Sequence, residues 1–143
     1  MPLVCNLPVG GRTKCSGDRC DGGITCSSPG CEILCGVGAC SGGITCSGLD
    51  CDVACGVGAC GGPVNVKATS NHVACGTDAC SGQVTCTGPS CDIDCQASGA
   101  CGGQVSCGGA SCDVLCAPKA CPGGVCCSAA SCELHGNPNQ CSL

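Results

Sequence analysis

Cysteine is the residue in this chain whose type and spacing could do chemistry. The 143 residues include 25 cysteines, 26 glycines and no Phe, Trp or Tyr. Three chemistries compete for that much thiol: disulfide cross-linking, metal–thiolate coordination and nucleophilic attack. Zinc–thiolate sites favour C-x-x-C spacing, and thiol-rich metal-storing chains lean on C-x-C and on lysine. The sequence has neither spacing and one adjacent pair, Cys126-Cys127. A cysteine nucleophile needs a base near it. His72 and His135 are the only histidines, and neither belongs to a recognisable catalytic motif. An enzyme is not expected, nor is a cofactor. A cysteine-rich metal binder stays as a lesser alternative, and disulfides are the leading reading.

The spacing supports this. From Cys40 to Cys60 the chain reads CSGGITCSGLDCDVACGVGAC, and the same spelling returns every 20 residues. With four cysteines per unit, the columns fall at Cys20, Cys26, Cys31, Cys35; Cys40, Cys46, Cys51, Cys55; Cys60 and Cys75; Cys80, Cys86, Cys91, Cys95; Cys101, Cys107, Cys112, Cys116; and Cys121, Cys127, Cys132. Cys5 and Cys15 fall near the second and fourth places of an incomplete leading unit. In the unit from Cys60 to Cys80, Val66 and Asn71 replace the second and third cysteines together. Joint loss points to partnership. The expected bridges are therefore Cys26–Cys31, Cys46–Cys51, Cys86–Cys91, Cys107–Cys112 and Cys127–Cys132. The fourth cysteine is left to join the next first: Cys15–Cys20, Cys35–Cys40, Cys55–Cys60, Cys75–Cys80, Cys95–Cys101 and Cys116–Cys121. Cys5, Cys126 and Cys141 are left over as candidates for bonds between molecules.

The elements that must position these cysteines are short strands. Ile24-Thr25-Cys26, Val84-Thr85-Cys86 and their equivalents, and Ile33-Leu34-Cys35, Val53-Ala54-Cys55 and theirs, place a β-branched residue and a cysteine two apart. That spacing puts both on one face of a strand. Glycine-rich corners separate the strands, and no helical period is present. The expected fold is all-β: a small disulfide-rich β-solenoid of about six to seven 20-residue coils with two short strands per coil. A coil of about 10 residues, stacking the two segments on each other, is the alternative. Stacked positions usually match in a solenoid, which favours 20. Residues 1–19 read as an incomplete leading coil. Residues 20–141 read as coils starting at 20, 40, 60, 80, 101 and 121, and 142–143 as a tail. Ile24, Ile44, Val64, Val84, Val105 and Val125 should form one inward column. Ile33, Val53, Val73, Ile93, Val114 and Leu134 should form the other.

Two outward ranks follow from the same alternation. Thr25, Ser27, Thr45, Ser47, Thr85, Thr87 and Ser106 form a hydroxyl ladder interrupted by Asn65, Lys67 and Cys126. Here the chain resembles the insect antifreeze proteins. Thr85-Cys86-Thr87 matches the T-C-T of the beetle type. Cys46-Ser47-Gly48-Leu49-Asp50-Cys51 and Cys86-Thr87-Gly88-Pro89-Ser90-Cys91 match the C-x-G-x-x-C of the midge type, whose tyrosine rank has no counterpart. The resemblance implies a disulfide-stapled solenoid and, through the hydroxyl ladder, an ice-binding face. The second rank is acidic: Glu32, Asp52, Asp92, Asp113 and Glu133, with His72 in its midst. Calcium or a basic partner could relieve its self-repulsion.

The net charge of −5 rests on ten acidic and five basic residues. With no basic patch and no aromatic platform, nucleic acid is not an expected partner. No apolar run is long enough to span a membrane. Disulfides place the chain in an extracellular or cell-surface setting, although Met1 to Cys15 shows no secretory leader. The expected function is structural: a subunit that stacks head to tail with itself into a filament or surface fibre. Ice binding is the alternative.

Overall fold

The computed structural model describes residues 5–6 and 12–15 by their backbone, and residues 23–27, 30–95 and 97–136 in full. Its strands, in chain order, are β1 (Cys5–Asn6), β2 (Arg12–Cys15), β3 (Ile24–Cys26), β4 (Gly30–Cys35), β5 (Ile44–Cys46), β6 (Asp50–Cys55) and β7 (Val64–Val66). They continue as β8 (Ser70–Cys75), β9 (Val84–Cys86), β10 (Ser90–Cys95), β11 (Val105–Cys107), β12 (Ser111–Cys116), β13 (Val125–Cys127) and β14 (Ser131–His135). The odd-numbered strands form one seven-stranded sheet and the even-numbered strands a second, each in sequence order. All pairings are parallel.

The architecture is a β-solenoid with two strands per coil. Ile24 pairs with Ile44 and Cys35 with Cys55, so the coil has 20 residues. The 10-residue alternative is ruled out, because β3 never pairs with β4. One coil is longer: Val84 pairs with Val105, and the added residue is taken up in the corner between Cys95 and Cys101. Stacking in register satisfies each strand's backbone through the coil above and below, which a two-strand turn could not do alone.

The interior is narrow. Both β-branched columns are buried along the rod, and Val66 is as buried as the cysteines it replaces. Leu134 is the exception, packed only partly against the core. A third inward column, absent from the sequence reading, runs through Ala39, Ala59, Ala79 and Ala100, each 0 or 1 % exposed. These alanines precede the first cysteine of the next coil.

The cysteines that follow adopt an unusual backbone. Cys40, Cys60, Cys80, Cys101 and Cys121 have φ between 53° and 61°. The left-handed region costs a non-glycine residue about 1–2 kcal/mol. Two things hold the conformation at Cys60, Cys80, Cys101 and Cys121. Each donates its N–H to the buried alanine carbonyl one coil below, at 2.9–3.0 Å. Each is also bridged to the preceding strand end.

The leading coil differs from the sequence reading in one respect. Cys15 aligns with Cys35, in the fourth column as expected. Cys5 aligns with Ile24 and not with Cys26, so it occupies a β-branched column and not a cysteine column. Backbone register, not cysteine spacing, sets its place.

Candidate functional surfaces

The corners carry ten disulfides among the described residues. On one side of the rod the bridges are Cys26–Cys31, Cys46–Cys51, Cys86–Cys91, Cys107–Cys112 and Cys127–Cys132, with Cα separations of 6.2–6.3 Å. On the other they are Cys35–Cys40, Cys55–Cys60, Cys75–Cys80, Cys95–Cys101 and Cys116–Cys121, each with a Cα separation of 6.0 Å. Cys20, and with it the expected Cys15–Cys20 bridge, lies outside the described residues, as does Cys141. Cys126 corrects the expectation of an orphan thiol open to another molecule. It is disulfide-bonded, outside these ten bridges. Stacked corners do gather sulfurs, as with Cys31, Cys46 and Cys51. Those sulfurs belong to disulfides, and a disulfide sulfur is not the thiolate that binds metal. The metal-storage alternative therefore has no ligand set among these cysteines.

One corner lacks its bridge, and a side chain closes it instead. Asn71 is 3 % exposed, the only buried polar residue among those described. The Ala68 N–H donates to its Oδ1 at 2.8 Å. Its Nδ2 donates back to the Ala68 carbonyl at 2.8 Å and to the Ser90 carbonyl of the next coil at 3.1 Å. The amide thus does in hydrogen bonds what Cys31 or Cys51 does covalently, and it adds a tie to the neighbouring coil. In the sequence alone Asn71 is no more than a lost cysteine. The available signal was its polarity at a position that alternation points inward.

The hydroxyl ladder lies on the odd-numbered sheet. Thr25, Thr45, Asn65, Thr85, Ser106 and Cys126 are in register from β3 to β13. Thr25 and Thr45 are exposed, and Thr85 and Ser106 are half-buried. A second rank follows two residues on. Successive members take Ser47, Lys67 and Thr87 N–H groups to the carbonyls of Cys26, Cys46 and Val66 at 2.8–3.1 Å. Ser27 heads this second rank and is exposed. The face is small-residue and mostly hydroxyl-bearing, broken in the middle by Asn65 and Lys67.

The acidic rank lies on the even-numbered sheet. Glu32, Asp52, His72, Asp92, Asp113 and Glu133 are aligned from β4 to β14, and Arg12 on β2 shares their register. His72 does not interrupt this rank so much as neutralise it. Its Nδ1 lies 3.3 Å from Asp52 Oδ1 on β6, and its Nε2 lies 3.2 Å from Asp94 Oδ2 on β10. Asp94 lies two residues after Asp92 on β10, so strand alternation sets both acids on one face. Partial burial works against the charged imidazole, but the hydrogen bonds to Asp94 and Asp52, with the negative charge of Asp52 and Asp92, outweigh it. The pKa of His72 is raised. Asp92 is raised as well, first by partial burial and then by repulsion from Asp94, with His72 pulling the other way. In the last described coil His135 Nε2 lies 3.2 Å from Asp113 Oδ1. Both histidines therefore meet carboxylates one coil away. A calcium ion wants oxygen ligands, whereas the centre of this rank is an imidazole held at both nitrogens.

Comparison with protein-family models, with curated proteins and with solved structures yields no match. Among the described residues no helix is long and apolar enough to cross a membrane.

Proposed function

We propose that the chain is a structural building block: a disulfide-stapled β-solenoid that stacks head to tail with further copies into an extracellular filament or surface fibre. The observation behind this reading is the last described coil. Cys132 and Leu134 hold the columns of Cys112 and Val114, which are 1 % and 0 % exposed. Yet Cys132 is exposed and Leu134 is only partly covered. Among the described residues, strand β14 is the edge of its sheet and shows a strip of core column, a template for another strand. Charge favours the same join. Glu133 ends the acidic rank on β14, and Arg12 opens it on β2. Setting β14 of one copy beside β2 of the next, in continued register, places Glu133 next to Arg12. The many disulfides suit an oxidising environment, where such a fibre would resist unfolding.

The test is negative-stain electron microscopy with sedimentation velocity over a range of concentrations, on wild type and on E133R. Wild type is expected to form thin fibres, and E133R to shorten or abolish them by setting like charges at the join. Uniform wild-type monomers at every concentration would sink the reading.

A second reading, ice binding, is favoured by one observation: the outward hydroxyls of Thr25, Thr45, Thr85 and Ser106 are held in register on a parallel sheet. Thermal hysteresis measured at high protein concentration decides it, and none would remove it.

A further inference from the structure

In the coil between Cys60 and Cys80, two of the departures from the repeat are neighbours in sequence. Asn71 replaces a bridging cysteine, and the next residue, His72, replaces an acid. Every other corner of this kind from Cys26 to Cys132 is closed by a disulfide. This one is closed by hydrogen bonds. On the outer face, His72 reaches one coil down to Asp52 and one coil up to Asp94. Asp94 is itself a departure. Its column holds Leu34, Ala54, Ala74 and Leu115 on β4, β6, β8 and β12, with Lys14 and His135 on the outermost strands β2 and β14. Two exceptional residues from adjacent coils thus meet.

An imidazole has two ring nitrogens, and here both face carboxylate oxygens. A neutral ring carries one N–H and can donate to only one of them. The other contact then sets a lone pair against an anion. Only the doubly protonated ring donates to both. We propose that this coil is a proton-controlled joint in the rod: protonated His72 ties it to both neighbouring coils, on the strand next to the one corner between Cys26 and Cys132 that has no covalent staple.

The surroundings make the tie selective for the protonated form. From β6 the groups facing His72 are Asp50 and Asp52, and from β10 they are Asp92 and Asp94, with Asp113 one strand further. No Lys or Arg lies on β6, β8 or β10. The raised pKa of His72 agrees with this geometry. The sign follows from linkage. A group whose pKa is higher in the folded than in the unfolded state adds stability that is complete below the unfolded value, near 6.5. That stability is lost as pH rises through the folded value. The joint should be tight in mildly acidic solution and looser above neutrality.

The experiment is amide hydrogen exchange on the oxidised protein at pH 5.5 and pH 8.5, with rates corrected for the intrinsic pH dependence of exchange. Residues 66–75 should open roughly two- to fivefold more readily at the higher pH, the range expected of partly exposed ion pairs. The stapled corners at Cys46–Cys51 and Cys86–Cys91 should not change. Two variants separate the tie from the missing bridge. H72Q should make exchange at 66–75 independent of pH. V66C/N71C, which restores the corner disulfide, should raise protection there and flatten its pH dependence while His72 still titrates by NMR. Should a variant fail to fold, the wild-type profile and the His72 titration still decide. Equal protection at both pH values, or a His72 ring titrating at or below its ordinary value, would overturn the proposal. So would a pH dependence that survives H72Q.

Discussion

Replacing Asn71 by Ala tests whether a side-chain amide can stand in for a disulfide in this scaffold. Asn71 closes its corner through the Ala68 N–H and the Ala68 carbonyl, both at 2.8 Å, and reaches the Ser90 carbonyl at 3.1 Å. Ala68 is fully buried, so water cannot replace those partners. A buried backbone group left without a partner costs about 1–3 kcal/mol. Two such groups on Ala68 give an expected loss of about 2–5 kcal/mol. The Ser90 carbonyl loses a donor too, which pushes toward the upper end. In thermal unfolding of the oxidised protein this corresponds to a drop of roughly 10 °C. Asn71→Asp sharpens the test. It keeps an acceptor for the Ala68 N–H but turns the donor into a carboxylate facing two carbonyls. Its folded pKa should rise, so N71D should lose stability as pH climbs above the ordinary carboxylate value and recover it in acid. A melting temperature for N71A within 2 °C of wild type, with undiminished amide protection at Ala68, would refute the reasoning.

Three further outcomes follow from the same structure. Gly88→Ala should destabilise by more than about 2 kcal/mol, because its Cβ would collide with the Ala68 carbonyl and the Asn71 amide; calorimetry reads the loss, and an unchanged transition would contradict the close approach of the coils. Asp92→Asn should stabilise by a few tenths of a kcal/mol near neutrality. The pKa of Asp92 is raised by partial burial and then by Asp94, so folding is penalised while it is ionised; the advantage should vanish near pH 3, where wild type is protonated, and paired melts at the two pH values check the sign. Full reduction under otherwise native conditions should abolish the strand signal in circular dichroism. Each six-residue bridge loop is worth about 2 kcal/mol of chain entropy, short of additivity, and the rod has no aromatic core to fall back on.

Much of the fold was legible because a solenoid repeats its instructions. Ile24, Ile44 and Val64 recur at one spacing, each two residues before Cys26, Cys46 and Val66. Strand alternation then puts each pair inside. The joint loss at Val66 and Asn71 linked the second and third columns, and the structure brings Cys46 to Cys51 and Cys86 to Cys91. Less of the candidate sites was legible. His72 reads in sequence as a gap in an acidic rank, yet in space it is the residue that holds Asp52 and Asp94. Cys126 reads as spare and is bonded. Cys5 reads as part of a cysteine column and aligns with Ile24.

The sequence by itself determined the period, the two strands of each coil, the inward columns and the corners where cysteines could meet. These depend on spacings within one coil, where alternation along a strand dictates which side chains share a face. Tertiary structure alone decided what happens between coils. It turned Asn71 into a corner clamp, set His72 between carboxylates 20 and 22 residues away, and held Cys60 and Cys80 in a left-handed backbone braced by Ala39 and Ala59 below. The physical reason is that these contacts link residues a full turn apart. Their distances exist only once parallel backbone hydrogen bonds have stacked one coil on the next in a single register.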